Sequence, residues 1–563
     1  MNGDNIIIGK NVSVGKNVKL GEDTAFPYSQ YFPYSTPRES QEEAIQFALD
    51  KFINEDARVV IIEAGTGVGK SAIGLAVARY LEENIKRTEE FEPGAYFLTT
   101  QKILQEQYVK DFGTGSGAMK SLMSSANYGC KYFVGNSCAE GQRALKTAEK
   151  GSALFRTCVF NCTYKHAKEA FIKSPESVTN FPYFLAETTY AGKLKPRNVL
   201  VVDEAHNADS QLGKFIEVTV TERFSKDMLK LNMPDLKTQH QAFKWVKETY
   251  APKLFSHVKH MEKMMDKYID LREKLKEFAK LAKQYELLDK HACKIRRFMQ
   301  LYDKGNWVFN YIPGSGRKST HLEFKPIDVA PYSEDTLFRL GRKIVMMTAT
   351  ILDKNGFCEL LGLKKEDAAF ISIPSPFPIK NRPIMAVPIG KMTRDEIDKS
   401  LPKLAEAVKE VMKQHKDEKG IVHCHTFKIA NYLKRNIKSK RILIHNSDNR
   451  EKLLKKHLES PEPTVLLSPS MTEGIDLRGD LGRFQIICKI PYPFLGDKLI
   501  RKRMNKWGWW YPLQTTKTIV QAVGRSVRSN DDYAVTYILD AGWDRFYQQN
   551  RDLFPKGFQA CIR

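Results

Sequence analysis

The segment that most constrains the fold covers residues 60–71 and reads VIIEAGTGVGKS. Its apolar start predicts a buried strand, its glycines predict a tight turn, and the residues after Lys70 predict a helix. Backbone N–H groups in such a turn can surround a phosphate, and the helix N-terminus adds a positive dipole end. Lys70 would reach the β- and γ-phosphates, and the Ser71 hydroxyl would hold Mg²⁺. The predicted phosphate loop consists of Ala64, Gly65, Thr66, Gly67, Val68, Gly69, Lys70 and Ser71.

A second apolar strand ends in two acids. Residues 199–202 read VLVV, and Asp203 and Glu204 follow them directly. Asp203 can hold Mg²⁺ through water, and Glu204 can orient or deprotonate an attacking water. The usual phosphate-loop pattern has Gly where this chain has Ala64, so each motif alone also fits a structural turn or an acidic strand end. Both motifs in this order predict a nucleoside triphosphatase.

The size and charge of the chain limit its class. At 563 residues it is too long for one hydrophobic core, so we expect three or more domains. The net charge of +23 indicates a polyanionic partner, with nucleic acid the first candidate and an anionic membrane surface the second. We find neither a signal peptide nor an apolar run that could span a bilayer, and therefore expect an intracellular protein that is cytoplasmic or nucleoid-associated.

Four of the nine cysteines lie close together in residues 113–178, where the alternation of strands and helices is interrupted. They are Cys130, Cys138, Cys158 and Cys162. Four thiolates can hold a zinc ion or an iron–sulfur cluster. Zinc ribbons prefer two tight C-x2-C pairs, whereas the spacings here are C-x7-C and C-x3-C, which favours a cluster. The spacing does not name the metal, and unrelated buried thiols are the alternative.

The second half of the chain predicts a charged helical segment and then another α/β domain. Residues 209–325 repeat apolar residues at helical spacing, which predicts a bundle whose lysine-rich face could also follow a DNA strand. On a helix, Gln521, Arg525 and Arg528 would share one face and could grip a γ-phosphate from a second domain. The tryptophan-rich residues 501–511 fit either base stacking or a hydrophobic core.

These motifs, in this order across residues 31–550, resemble the iron–sulfur superfamily 2 DNA helicases of the XPD/DinG type. The matching segments are FPYSTPRESQ (residues 32–41), EAGTGVGKS (63–71), TTQKILQEQ (99–107), VVDEAH (201–206), MTATIL (347–352), SPFP (375–378), TEGIDL (472–477) and QAVGRSVR (521–528). An Ala in the first place of the phosphate loop is usual in this family. The asparagine and tyrosine just before Cys130 also match it.

The resemblance implies an α/β fold with two RecA-like lobes, and with an iron–sulfur domain and an α-helical arch inserted in the first lobe. Residues 1–30, with a six-residue glycine repeat, would form a short β extension. The implied divisions are the first lobe at 31–112, 179–212 and 326–375, the cluster domain at 113–178, the arch at 213–325, and the second lobe at 376–563.

The resemblance also implies an ATP-dependent helicase that moves 5′→3′ on single-stranded DNA, as a monomer, and unwinds duplex or forked DNA. Lys70, Asp203, Glu204, Gln521, Arg525 and Arg528 would carry hydrolysis. Arg38, Gln41, Gly474 and Asp476 would complete the ATP site, Ser71 and Asp203 would hold Mg²⁺, and the four clustered cysteines would hold one [4Fe–4S] cluster. His206, Thr348 and Thr350 would couple the nucleotide state to the grip on DNA.

Two other functions fit parts of the sequence. A nucleic-acid-stimulated ATPase that translocates or remodels without unwinding would share every motif. A binding protein with an inactive phosphate loop is the second alternative, but the intact Lys70, Asp203 and Glu204 argue against it.

Overall fold

The computed structural model of the chain describes residues 26–65, 67–114, 119–145, 148–192, 194–268, 275–316, 318–445, 449–469 and 477–563. The glycine repeats near the N-terminus lie outside these ranges. So do three residues expected at the nucleotide site: Thr66, Gly474 and Asp476.

Seven parallel strands form the sheet of the first lobe. They are β1 (Val59–Ala64), β2 (Glu92–Thr99), β3 (Lys120–Ser121), β4 (Glu176–Asn180), β5 (Arg197–Asp203), β9 (Gly341–Thr348) and β10 (Ala368–Ile373). Their order across the sheet is β10-β1-β9-β5-β2-β4-β3. β1 and β5 are buried along their whole length, as expected of a parallel sheet covered by helices on both faces.

The strand order brings the two sequence motifs to one edge. Strand β9 lies between β1 and β5, so that Glu63 pairs with Thr348 and Asp203 pairs with Met347. The carboxyl ends of these three strands therefore lie side by side. Ligands of open α/β sheets bind at such an edge.

The second lobe contains a separate sheet of six parallel strands. They are β11 (Ile384–Gly390), β12 (Gly420–His423), β13 (Ile442–Ile444), β14 (Val465–Ser468), β15 (Phe484–Ile487) and β16 (Val535–Asp540), and their order is β11-β16-β15-β12-β14-β13. The predicted α/β class with two RecA-like lobes is confirmed.

Helices cover both sheets and make up most of the two inserted segments. The first lobe and its insertions contain α1 (Glu39–Ile53), α2 (Lys70–Asn84), α3 (Lys102–Phe112), α4 (Cys138–Leu145), α5 (Ala153–Phe160), α6 (Thr163–Lys173), α7 (Phe181–Ala186), α8 (Ala208–Ile216), α9 (Glu222–Leu229), α10 (Gln239–Trp245), α11 (Ala251–Tyr268), α12 (Leu275–Leu301), α13 (Ala330–Thr336) and α14 (Lys354–Leu361). The second lobe contains α15 (Ile397–Gln414), α16 (Phe427–Asn436), α17 (Arg450–Glu459), α18 (Lys498–Lys506), α19 (Trp510–Val523), α20 (Trp543–Gln549) and α21 (Lys556–Gln559). Over the described ranges, no helix combines the length and hydrophobicity needed to cross a bilayer.

Two segments leave the first sheet. One runs between β3 and β4 and carries the four clustered cysteines with helices α4 to α6. The other runs between β5 and β9 and carries helices α8 to α13. Helix α12 of the second segment packs against α4 of the first, so the two insertions touch each other.

The helical prediction for residues 209–325 is incomplete, because three antiparallel strands share this segment. They are β6 (Val218–Thr221), β7 (Trp307–Ile312) and β8 (His321–Pro326), in the order β6-β8-β7. In β8, Leu322 and Phe324 are buried while their neighbours are partly exposed. This two-residue alternation is short and stands beside long amphipathic helices, whose period dominates the sequence pattern.

The lobes are joined by polar contacts around helix α18. The Arg503 guanidinium donates to Asp209 Oδ2 at 3.0 Å and to the Ile327 carbonyl at 2.8 Å. The Trp507 indole donates to Glu359 Oε1 at 2.9 Å. Since Asp209 lies on α8, directly after the acidic strand end, these contacts place the second lobe beside that motif.

Candidate functional site

The predicted phosphate loop connects β1 to α2. Gly67 and Gly69 have φ values of +84° and +85°, which L side chains rarely adopt. A Cβ at Gly69 would lie 2.5 Å from the Gln41 amide nitrogen, and one at Gly67 would lie 2.1 Å from the Phe377 ring. Glycine is therefore required at both positions, and the turn delivers the N-terminus of α2 to the edge of the sheet.

Arg38 and Gln41 lie against this loop, as the sequence predicts. The Gln41 side-chain oxygen accepts the Arg38 backbone N–H at 2.9 Å, and the Arg38 guanidinium donates to the Gly67 carbonyl. Gln41 is buried. Its amide nitrogen faces Gly69, so the pair is positioned to read a nucleotide held by the loop.

The SPFP segment closes the other side of the loop. A Cβ at Gly65 would lie 2.9 Å from Ser375, and the Phe377 ring lies over Gly67. Phe377 also packs against Val527, which belongs to the QAVGRSVR segment of the second lobe. The connection between the lobes thus runs directly past the phosphate loop.

Asp203 and Glu204 are held by separate contacts. Asp203 Oδ1 accepts the Glu204 backbone N–H at 2.9 Å, and Asp203 Oδ2 accepts the Tyr108 hydroxyl at 3.1 Å. Glu204 has a φ of +51°, an uncommon backbone conformation for a residue with a side chain. The Lys70 ammonium donates to the Ala64 carbonyl at 3.4 Å and lies near both acids.

The two carboxyl groups differ in their electrostatic surroundings. Burial and the adjacent Glu204 raise the pKa of Asp203 above its usual range, against the pull of Lys70. Burial also opposes ionisation of Glu204, but the hydrogen bond from His206 and the charges of Lys70 and Arg525 outweigh it and lower the pKa of Glu204. Glu204 is therefore ionised at neutral pH, as a residue that orients water must be.

Polar contacts run from the acidic strand end to β9 and into the second lobe. His206 Nδ1 lies 2.6 Å from Thr348 Oγ1 and 3.2 Å from Glu204 Oε2. The Gln521 amide donates to Thr350 Oγ1 at 3.1 Å. The Lys517 ammonium donates to the His206 carbonyl at 2.7 Å. Residues expected to couple the nucleotide state to the DNA grip are thus in contact across the two lobes.

The prediction that Gln521, Arg525 and Arg528 share a helix face is wrong. Helix α19 ends at Val523, and Gly524 follows as its C-terminal cap. Arg525 and Arg528 lie in the turn beyond it, where the Arg528 backbone N–H donates to Asp532 Oδ2 at 3.0 Å. The charge of Arg525 still acts on one of the two acids, since it helps to lower the pKa of Glu204.

Two buried residues of the site were not predicted from the sequence. Tyr108 comes close to Asp203 only in the folded chain, because helix α3 directs its side chain towards that residue. Glu63 precedes the loop, and its Oε1 accepts the backbone N–H groups of Ile351 and Leu352 at 2.6 and 2.8 Å. Glu63 thereby ties the phosphate loop to the MTATIL segment. The only available signal was an acid within an otherwise apolar strand.

The four clustered cysteines come together in the folded chain. All four are buried and line one small cavity. Cys138 Sγ lies 3.8 Å from Cys162 Sγ, and a Cβ at Gly141 would lie 2.9 Å from Cys130 Sγ and 3.7 Å from Cys158 Sγ. Backbone N–H groups of Phe133 and Lys165 donate to Cys130 and Cys162, respectively.

The chemistry of the four clustered cysteines suits the binding of a positively charged group. Burial and the other three sulfurs raise the pKa of Cys158 to about 12, so four thiolates could coexist here only around positive charge. Within the part of the chain that the structure describes, no three His, Cys, Asp or Glu side chains are arranged as ligands of a metal ion.

Two of the three tryptophans of residues 501–511 belong to the core, which favours that alternative over base stacking. Trp507 and Trp510 are 5% and 4% exposed and pack against Leu360 of the first lobe, whereas Trp509 is partly buried beside them. The stretch therefore contributes to the contact between the lobes.

Fold and site together define a class: a nucleoside triphosphatase whose phosphate loop and acidic strand end lie on one RecA-like lobe, with an amide and arginines supplied by another. Comparisons with known proteins narrow this class further. Residues 408–561 match a family model described as a helicase C-terminal domain, and residues 34–233 match one described as the res subunit of type III restriction enzymes.

Individual relatives agree with these matches. The chain is 21% identical to the ATP-dependent DNA helicase YoaA of Escherichia coli over 90% of this chain and 91% of that one. It is 24% identical to the ATP-dependent DNA helicase DinG of Photobacterium profundum over 39% of this chain and 34% of that one. A solved XPD helicase structure covers 94% of this chain and 100% of its own, with a TM-score of 0.62 and 18% identity, and thus shares its fold. In sequence and in fold the chain is therefore similar to the XPD/DinG-type superfamily 2 helicases.

Proposed function

We propose that the chain is an ATP-dependent DNA helicase that translocates 5′→3′ on single-stranded DNA and unwinds duplex or forked DNA. The observation that carries the proposal is that groups from both lobes meet at one acidic strand end. Gln521 contacts Thr350, Lys517 contacts the His206 carbonyl, and the charge of Arg525 acts on Glu204. A site divided in this way can convert hydrolysis into relative movement of the lobes.

Each side chain at the site has a role in hydrolysis. Lys70 and the loop N–H groups would hold the β- and γ-phosphates, and Arg38 and Gln41 would face the base. Ser71 and Asp203 would hold Mg²⁺, which neutralises phosphate charge when bound. Ionised Glu204 orients the attacking water and accepts its proton. Arg525 and Arg528 would offset the charge that develops on the γ-phosphate.

The contacts of His206 give a route from hydrolysis to DNA. His206 contacts both Glu204 and Thr348, while Gln521 contacts Thr350. A change of charge beside Glu204 would therefore affect both β9 and the second lobe. Closing on ATP and reopening after hydrolysis would then shift the grip on the strand.

We further propose that Cys130, Cys138, Cys158 and Cys162 hold one [4Fe–4S] cluster and that this insertion, with the helical one, separates the strands. Support comes from the convergence of the four buried sulfurs and from the packing of α12 against α4. The cluster would supply a rigid staple for a segment that has few long apolar runs.

A strand-displacement assay tests the proposal. Duplexes with a 5′ or a 3′ single-stranded tail would be incubated with the protein, ATP and Mg²⁺, with Lys70→Ala as the control variant. The proposal predicts ATP-dependent displacement of the 5′-tailed duplex and none by Lys70→Ala. DNA-stimulated ATP hydrolysis without displacement would favour the alternative, a translocase that remodels without unwinding.

A further inference from the structure

A tyrosine next to a third motif contacts one of the two expected Mg²⁺ ligands. Tyr108 is on α3, directly after the TTQKILQEQ segment, and is only 3% exposed. Its hydroxyl donates to Asp203 Oδ2 at 3.1 Å. Its ring packs against Phe97 and Phe112, with centroids 5.9 and 5.8 Å away.

The direction of this hydrogen bond follows from chemistry. An ionised carboxylate can only accept, so the Tyr108 hydroxyl must donate to Asp203. The hydroxyl therefore stabilises the ionised form of Asp203, which is the form that a cation ligand needs.

The same contacts fix both carboxylate oxygens. Asp203 Oδ1 is held by the Glu204 backbone N–H and Oδ2 by Tyr108. The carboxylate cannot rotate without losing one of these hydrogen bonds. Partners of this kind, one step removed from the metal, typically change metal affinity or activity by about 10- to 100-fold when removed.

We propose that Tyr108 is a positioning residue that preorganises Asp203 for Mg²⁺. The inference rests on the proposed nucleotide-hydrolysing function and adds a residue outside the phosphate loop and the acidic strand end. Because Tyr108 belongs to α3, the geometry of the Mg²⁺ ligands depends on where that helix lies.

The test is a Mg²⁺ titration of nucleotide binding by wild type and Tyr108→Phe, read by the fluorescence of a methylanthraniloyl-labelled ADP. Phe keeps the ring packing and removes only the hydroxyl. We expect the Mg²⁺ concentration for half-maximal binding to rise about 10- to 100-fold, with equal nucleotide binding in EDTA. Thermal denaturation of both proteins would show that the variant is folded.

Tyr96→Phe is the matched control. Tyr96 lies on β2 of the same lobe, is 2% exposed, and donates its hydroxyl to the Lys195 carbonyl at 3.0 Å, away from the site. Its removal should leave the Mg²⁺ titration unchanged. An unshifted titration in Tyr108→Phe, or an equal shift in Tyr96→Phe, would overturn the inference while leaving the proposed function intact. If the wild-type protein bound no nucleotide, both this inference and the proposed function would be wrong.

Discussion

At the scale of single residues, two neighbouring acids have different surroundings because the chain turns sharply between them. Asp203 ends a buried strand, whereas Glu204 adopts a positive φ and points its carboxylate towards His206. Burial keeps the pKa of Asp203 high until a cation is bound, and His206, Lys70 and Arg525 keep the pKa of Glu204 low. One acid is thus suited to hold Mg²⁺ and the other to orient water.

Glu204→Gln should bind ATP and fail to hydrolyse it. The amide keeps the size of the side chain but cannot accept the proton of the attacking water, so turnover should fall by about 10²-fold or more. Steady-state hydrolysis and equilibrium nucleotide binding, measured on the same preparation, would check this. Turnover near that of wild type would remove Glu204 from the mechanism.

His423 predicts a pH dependence of stability. It is 6% exposed at the end of β12, and burial together with the nearby charge of Arg525 lowers its pKa to about 4. The pKa of His423 is lower in the folded chain than in the unfolded chain. The stability that the neutral side chain contributes is therefore fully present above about pH 6.5 and is lost as pH falls towards about 4. The loss should be on the order of 1–2 kcal/mol by about pH 5.

Melting temperatures of wild type and His423→Asn, taken at about pH 7.5 and about pH 5, would measure this contribution. The other buried histidines titrate in both proteins, so the difference between the two isolates His423. A fall of equal size in both proteins would contradict the assignment.

Local patterns predicted most of the residues that meet at the candidate site, since each motif occupies consecutive positions along one strand and turn. Lys70, Asp203 and Gln41 all lie around the loop that follows β1 and the end of β5, and their roles in hydrolysis stay predictions. Tyr108 could not be predicted, because its contact with Asp203 depends on how α3 packs against the sheet. Periodicity indicates which face of a helix is buried, but not which polar group on that face contacts the site.

At the scale of helices and strands, residue spacing alone gave a wrong prediction at the end of α19. Gln521, Arg525 and Arg528 fit a helical repeat, yet Gly524 ends the helix and a turn carries both arginines. The two parallel sheets were predictable from their continuous apolar strands. The antiparallel sheet of β6, β7 and β8 was not, because alternation between buried and partly exposed residues over a few positions is a weak signal between strongly amphipathic helices.

The cysteine segment gives a prediction at this scale. Cys158→Ser should lose iron and destabilise the insertion, because ligation supplies much of the folding energy of such a segment. DNA-stimulated hydrolysis should partly survive, since the phosphate loop lies on other elements, while strand separation fails. Iron content, the visible absorbance spectrum and strand displacement would be measured together.

Cys358→Ser is the control, since Cys358 is fully buried on α14 and belongs to no cluster of cysteines. It should keep both iron and unwinding. Full iron and full unwinding in Cys158→Ser would rule out the cluster assignment. One zinc and no iron in wild type would leave the insertion intact but refute the choice of metal.

At the scale of the whole molecule, the charge of the chain predicts how it binds DNA. With a net charge of +23, binding to single-stranded DNA should weaken steeply as salt rises, because each neutralised phosphate releases counterions. Fluorescence anisotropy of a labelled oligonucleotide, measured from low to physiological salt, would give the slope. A flat dependence would argue against DNA as the partner.

Under the proposed function, both lobes build one ATP site whose turnover depends on DNA. The most direct measurement is ATP hydrolysis with and without single-stranded DNA, by wild type and by Arg525→Ala. We expect wild type to be stimulated by DNA, and Arg525→Ala to bind ATP yet lose about 10²-fold or more of that hydrolysis, because a γ-phosphate grip from the second lobe is missing. Hydrolysis that responds neither to DNA nor to the loss of Arg525 would contradict the account.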